Sequence, residues 1–359
     1  MIESKTNDGL LYLISMQNNT TKEVLTYLIF LPILLGVTGY IFGPYYAKDL
    51  FHFTVSFVLT LIIAVYGYKR KSLSIDGAMY SVIVGHTLTF ANAAFFSCLI
   101  TFFLTGSKLT KYKSAKKFAN LEQEHITGGR RTYLQVLCNG LVSTICAMGY
   151  ILYGGQGITG AHVSRKQLQY EFIARLPYIH PVIFELGVVV SLASACGDTW
   201  ASEIGSAIGG VPRLIIRPFG KPVPVGTNGG VTLYGTIASF MGGGVIGIAY
   251  VLTGIILNLY MSYSQGTGIS LDLQGVYRVF HFFAFAGIVG FLGSAVDSLI
   301  GGTFQYSGIN DRTNKVSENK SECTQHISGW DILDNNMVNL VSIAIVTVAV
   351  CCVLYKMDQ

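Results

Sequence analysis

The chain has 359 residues, 51% of them hydrophobic and 12% charged, with a net charge of +5 and a mean hydropathy of +0.51. Soluble domains carry about 25% charged residues, so the composition excludes an ordinary soluble enzyme. Apolar stretches close to the ~18–20 residues needed to cross hydrocarbon recur throughout, which makes the lipid bilayer the first expected partner; no nucleic-acid partner is expected.

In chain order, residues 1–23 read as a polar cytoplasmic segment, followed by a single polytopic membrane domain over 24–355. Apolar spans are predicted at 24–45, 51–68, 133–153, 181–197, 231–260, 278–301 and 337–355. Between them, the stretch 75–105 is interrupted by Gly85, His86 and Asn92. No small-residue cleavage site follows a short apolar core, so the first helix is expected to be retained. Six cysteines fall in or beside spans and Cys323 in a loop, without the spacing of a zinc site or a disulfide framework.

Lysine and arginine set the orientation, because their excess stays in the cytoplasm. The basic clusters at 69–71 and 106–131 must then share one side. The stretch 75–105 is therefore expected to cross twice as two short tilted helices, or to dip in and return. This gives an all-α bundle of about nine spans, eight if 75–105 crosses once, with the N-terminus in the cytoplasm. Loops 106–132, 209–230 and 303–336 become cytoplasmic, and Lys48, Arg165, Lys166, Arg175, Arg278 and Lys356 lie on the other side. The sequons at Asn18, Asn19 and Asn319 are expected to stay unmodified.

Four polar motifs converge on the inner leaflet in this arrangement. In "ACGDTWASEIG", Asp198 either caps a helix restarting after Gly197 or binds a hard cation such as Mg²⁺, which is held by one or two carboxylates plus substrate phosphates. Glu203 lies about 140° from Asp198 on an ideal helix, so a break at Gly197 or Gly205 would be needed to aim both at one ion. In "RPFGKPVPVGTNGGVTLYG", Lys221 precedes a turn of Gly226, Thr227, Asn228, Gly229 and Gly230 that opens a span. Such a turn is either an ordinary loop or an anion site of backbone N–H groups. Gly235, Ser239 and Gly243 behind it share one helix face and read as close packing. In "GIVGFLGSAVDSLIGG", Gly290, Ser294, Asp297 and Gly301 follow helical spacing, pointing Asp297 into a packed seam as a structural residue or a second metal ligand. Arg130 and Arg131 end the basic loop at 106–131, which either sets topology alone or receives a phosphorylated head group. Asn139, Asp334, Asn335 and Asn336 begin spans from the same side and could orient ligands.

Two motifs are negative. No G-x-x-x-x-G-K-[ST] is present, and "GQGITG" at 155–160 matches the dinucleotide fingerprint without a preceding strand.

The ordered string "CGDTWASEIGSAIGGVPRLI…KPVPVGTNGGVTLYGTIAS…GSAVDSLIGGTFQ…ILDNNMVNL" resembles the transmembrane protein 19 family over about residues 70–350. That family includes plant and cyanobacterial phytyl-phosphate kinases, and "HISGWDILDNN" looks closest to its animal-type branch. A more distant similarity is to polyprenol kinases and CDP-diacylglycerol synthases, in which an acidic motif at a span's inner end precedes a lysine motif. Asp198 matches the first element. The second departs from the pattern, with Lys221 and "GTNGG" in its place and Asn228 where an acidic residue would stand.

The resemblance implies a membrane-embedded phosphotransferase, a kinase of an isoprenoid-type lipid phosphate using a nucleoside triphosphate. Asp198 and Asp297 are assigned to Mg²⁺, with Lys221 as a third catalytic group. Phosphate falls to Gly226–Gly230, Arg130 and Arg131, orientation to Asn139, Glu203, Asp334, Asn335 and Asn336, and the prenyl chain to the glycine-lined helices. An endomembrane such as the endoplasmic reticulum is the expected location. The alternative is a transporter or lipid carrier without chemistry.

Overall fold

A computed structural model describes residues 52–112, 130–153, 179–217, 220–264, 273–321 and 323–357. The expected span at 24–45 lies outside the described residues. The chain divides into two compact units, 1–61 and 62–359. Of the first, residues 52–61 are described, as the opening turns of α1 (His52–Lys69).

The remaining helices are α2 (Ile75–Ala91), α3 (Ala93–Lys111), α4 (Tyr133–Leu152), α5 (Pro181–Ile208), α6 (Leu233–Ser264), α7 (Leu273–Phe304) and α8 (Asn335–Met357). Among the described residues, seven helices are long and apolar enough to cross a membrane: α1, α3, α4, α5, α6, the Tyr277–Phe304 part of α7, and α8. The chain is an integral, multi-pass membrane protein built as an α-helical bundle.

The stretch 75–105 forms two helices broken at Asn92, not at Gly85 or His86. Asn92 is extended (φ −163°, ψ 137°), and its side chain accepts from the Ala94 amide, so one residue ends α2 and caps α3. The pair folds back on itself. The Lys111 ammonium at the end of α3 donates to the Arg70 carbonyl and to Ser72 Oγ beside the start of α2. The described residues of both basic clusters therefore meet at one end of the bundle, as the charge pattern requires.

The central helix is α5. Its most apolar stretch is 61% buried inside the bundle, against 22–33% for the other spans, and it packs on α3, α4, α6, α7 and α8. Val188, Val189, Val190, Leu192, Ala193 and Cys196 have no exposed surface. Pro181 opens the helix at a position that needs no N–H, and Gly209 ends it at φ 98°, a conformation that favours glycine. The helix runs unbroken through Gly197 and Gly205, so neither glycine supplies the break that could have reoriented Asp198 and Glu203.

The glycines serve as helix contacts. A methyl group at Gly197 would sit 2.5 Å from Gly290 Cα, and one at Gly290 would sit 2.5 Å from the Ser239 carbonyl oxygen. Small residues let membrane helices approach this closely. The seam between α5, α6 and α7 is thus filled by backbone, which corrects the expectation that a prenyl chain lies along it.

Exposed tyrosines ring both ends, as at membrane–water interfaces. Tyr66, Tyr68, Tyr112, Tyr133 and Tyr234 mark the end that carries the basic clusters, and Tyr260, Tyr263 and Tyr277 mark the other. The 26 residues from Tyr234 to Tyr260 along α6 correspond to ~39 Å of helix, close to the ~40–45 Å of a bilayer with its head groups.

Short strands occupy two connections. β1 (Arg213–Leu214) pairs antiparallel with β2 (Gly230–Val231). In the segment 303–336, expected as a plain loop, β3 (Ser307–Asn310), β4 (Val316–Ser317) and β5 (Thr324–Ser328) form an antiparallel sheet in the order β4-β3-β5.

Candidate active site

At the end of the bundle that carries the basic clusters, α4, α5, α6, α7 and α8 and the turn before α6 enclose a cavity of about 440 Å³. Two acidic helices meet there. Asp198 stands on α5, hydrogen-bonded to the Ser294 side chain of α7. Asp297 stands one helical turn further along α7 and accepts from Ser342 Oγ of α8 at 3.0 Å. Both carboxylates line the cavity, and Asp297 lies within range of the Asp198 charge. Glu203 lines the same cavity. An unbroken α5 brings Asp198 and Glu203 to one space because that space wraps around the helix.

Arg131 forms the opposite wall. Its backbone pairs with the 72–74 segment, donating to the Ser72 carbonyl and accepting from the Ser74 amide and hydroxyl. The guanidinium lies over Phe102 and Phe103, 5.3 and 5.9 Å from the ring centroids. Burial lowers its pKa from the ordinary arginine value, while the nearby Glu203 carboxylate raises it. It remains a cation, held between aromatic faces and an acidic partner. Arg130 beside it is exposed and also reaches the cavity.

The turn at 226–230 forms the floor. Gly226 (φ 96°) and Gly229 (φ 76°) adopt left-handed conformations, and a methyl group at Gly229 would sit 2.5 Å from Gly302 Cα of α7. Glycine is required there for both reasons. The amides of Thr227, Asn228 and Gly230 are bonded to the Pro224 carbonyl, Ser307 Oγ and the Thr227 carbonyl. Three of the five N–H groups expected to cradle phosphate thus already have protein acceptors. Asn228 Nδ2 donates to the Tyr306 carbonyl, and the Asn228 carbonyl accepts from Ser328 Oγ. Asn228 therefore clasps the turn to β3 and β5.

The cavity also takes in Asn139 of α4 and Asn335 of α8, as the sequence implies. Three expected residues stand elsewhere. Lys221 is exposed on the strand-like segment before the turn and does not line the cavity. Asp334 caps α8, its Oδ1 accepting from the Met337 amide at 2.8 Å. Asn336 lies outside the cavity lining. Conversely, Gln135, Asn339, Gln305 and a set of Ser and Thr hydroxyls line the cavity without having been singled out. Asn335, Asn339 and Ser342 are spaced i, i+4 and i+7, one face of α8, and that stripe was readable in an otherwise apolar span.

The donor set is hard oxygen, which suits Mg²⁺ or Ca²⁺. Among the described residues no three His, Cys, Asp or Glu side chains gather at one metal position. A cation here would take two carboxylates from the protein and its remaining ligands from substrate or water. Two neighbouring carboxylates inside a span carry a repulsion that such a cation would offset.

A polytopic helical bundle with a polar, carboxylate-bearing cavity at one membrane face defines a class of integral membrane protein. The family model described as integral membrane protein DUF92 matches residues 58–347. The chain belongs to that family, in keeping with the resemblance read from its motifs, and every residue of the cavity lies in the matched segment. Protein PGR of Arabidopsis thaliana is 33% identical over 295 residues, covering 82% of this chain and 93% of that protein. An uncharacterized membrane protein of Methanocaldococcus jannaschii is 27% identical over 274 residues, covering 75% of this chain and 91% of its own length. The chloroplastic protein VTE6 of Arabidopsis thaliana is 30% identical over 171 residues, covering 47% of this chain and 44% of that protein. No solved structure matches.

Proposed function

We propose that the protein is a phosphotransferase that moves a phosphoryl group from a nucleoside triphosphate to an isoprenoid-type lipid monophosphate at the cytoplasmic leaflet. The observation that carries this reading is the meeting of Asp198 and Asp297, from separate helices, in one interfacial cavity that Arg130 and Arg131 also line. Phosphoryl transfer is largely positioning and neutralisation of charge. Asp198 and Asp297 would hold Mg²⁺. A cation held there would supply neutralisation of the phosphate charge. Ser294 and Ser342 fix the two carboxylates. Arg130 and Arg131 attract and orient the anionic groups, while Asn139, Asn335 and Asn339 supply neutral donors to the phosphate oxygens.

The dry middle of α5 favours chemistry over transport. Seven fully buried residues from Val188 to Cys196, Ser191 among them, separate the cavity from the far end of the bundle. There the carboxylate of Glu185 already has a partner, accepting from the Tyr250 hydroxyl at 2.5 Å. Transporter sites lie near the midplane between repeated halves, whereas this cavity is at one end.

The test is incubation of the purified protein with γ-labelled nucleoside triphosphates and a panel of prenyl monophosphates, with Mg²⁺ or with a chelator. Label appearing in a prenyl diphosphate only with Mg²⁺ is the expected result. No transfer with any lipid and donor pair would overturn the enzyme reading.

A further inference from the structure

The connection between α5 and α6 has two faces. Its first strand, β1, pairs with β2 on one side. On the other side Arg213 bridges Pro222, and the Leu214 amide donates to the Lys221 carbonyl. Inward, Leu214 and Val223 are buried, and Pro212 and Ile215 line the cavity. Outward, Arg213, Arg217 and Lys221 are exposed. The chain has no Asp or Glu between Glu203 and Asp272, so no acidic residue of this ribbon balances its three cations.

Exposed apolar side chains border those cations. Val211, two residues before β1, is 67% exposed, and Leu233, two residues after β2, is 72% exposed. Leu233 leads a stripe on α6 with Ile237 and Met241, spaced i, i+4 and i+8, and all three are exposed. An exposed apolar stripe on a membrane span faces lipid. Leu233 is the end of that stripe, beside the interfacial Tyr234. Arg213 stands opposite Val231, two residues before Leu233, so the ribbon begins at the bilayer surface.

We propose that the α5–α6 connection is a docking surface for anionic phospholipid head groups in the leaflet that the cavity faces. Val211 and Leu233 enter the interface, as the apolar side of an interfacial element does. Arg213, Arg217 and Lys221 meet the head-group phosphates and carboxylates. Arg213 already donates from Nη1 to the Gly220 carbonyl, which holds its guanidinium on the ribbon. Lys221, exposed and absent from the cavity lining, gains a role here. The Ile215 amide donates to the Gly229 carbonyl, so the lipid-binding ribbon and the cavity floor are one bonded unit. The inference involves no phosphoryl transfer and stands apart from the kinase reading.

The experiment uses the full chain in nanodiscs of phosphatidylcholine with a minor share of phosphatidylserine. A trace of one lipid or the other carries a diazirine near the glycerol end of one acyl chain. After irradiation, adducts on 208–233 are counted relative to those around Tyr260, at the opposite end of α6. The phosphatidylserine probe should favour 208–233 over the phosphatidylcholine probe by roughly fivefold or more, the scale of one basic residue near an anionic surface. Added salt should shrink that preference in the wild-type protein, because exposed charges are screened. Joint substitution of Arg213→Gln, Arg217→Gln and Lys221→Gln should remove it at an unchanged melting temperature. Equal labelling by the two probes, or a preference indifferent to salt, would overturn the proposal. So would phosphatidylserine adducts enriched at 69–71 but not at 208–233. A preference abolished by inorganic phosphate at fixed ionic strength would assign the cations to a soluble anion and overturn the lipid surface.

Discussion

Asp198 and Glu185 occupy the same helix, and their surroundings set them apart. Glu185 accepts from the Tyr250 hydroxyl and lies outside the cavity, whereas Asp198 faces the cavity beside a second carboxylate. A charge inside a span costs ~2.5–3.5 kcal/mol on insertion scales, so a pair persists where something offsets it. Asp198→Asn keeps the shape and removes the charge. Transfer should fall about a hundredfold or more, the scale seen when one preorganised electrostatic group is lost. The melting temperature should hold or rise, because one member of a repelling pair is gone. Full activity in the variant would remove Asp198 from the metal site. Lys221→Ala should leave the rate close to wild type, since Lys221 is exposed and does not line the cavity; a large loss would return it to the site. Ser342→Ala takes from Asp297 its 3.0 Å donor, an interaction of about 1.5–3 kcal/mol for a charged acceptor. The expected result is a higher Mg²⁺ concentration for half-maximal transfer, with a smaller change in maximal rate. The carboxylates were legible in the sequence because charge in an apolar run is rare. Ser342 could be placed on the polar stripe of α8 by its spacing, but its bond to Asp297 could not be read, because a hydroxyl in a span usually bonds its own helix backbone and the carboxylate lies 45 positions away.

At the scale of elements, the two roles read for glycine separate. Those in "GTNGG" serve turn geometry, and those at 197, 243 and 290 serve helix contact. Gly290→Leu would drive a side chain into the Ser239 carbonyl and Gly243. It should lower the melting temperature sharply and abolish ligand binding by parting α6 from α7. Gly254→Ala on the same α6 meets nothing within 4 Å, and should be neutral or stabilising by up to ~1 kcal/mol, the helix-propensity gain. Equal effects from the two substitutions would contradict the seam. The α2–α3 hairpin could be inferred because two basic clusters had to share one side, an argument independent of local propensity. The sheet at 307–328 could not. Its strands have two to five residues, too short to show an alternating pattern, and they are held by distant partners such as Asn228, 79 positions from Ser307. The helix α5 stays unbroken through its glycines, because glycine weakens a helix only by ~1 kcal/mol and close packing with α7 outweighs that.

For the whole molecule, the remaining question is which side the cavity faces. Packing answers only half of it. The hairpin, the cavity, Arg130, Arg131 and the tyrosines at 66, 68, 112, 133 and 234 are gathered at one end, and the excess of basic residues there predicts that this end faces the cytoplasm. The sheet between α7 and α8 belongs to the same end, because β3 and β5 hold the turn that floors the cavity. Asn319, in the sequon "NKS", is exposed on that segment, so an oligosaccharyltransferase on the luminal side would meet an accessible acceptor. The full-length chain expressed in a secretory membrane should carry no glycan at Asn319, as judged by an unchanged gel mobility after endoglycosidase treatment. A sequon placed by substitution in the connection between α6 and α7, at the opposite tyrosine ring, should be modified in the same cells and shows that the machinery is competent. A glycan on Asn319 would turn the bundle over. The cavity would then open where nucleoside triphosphates are scarce, and the cytoplasmic kinase reading would fail with the orientation.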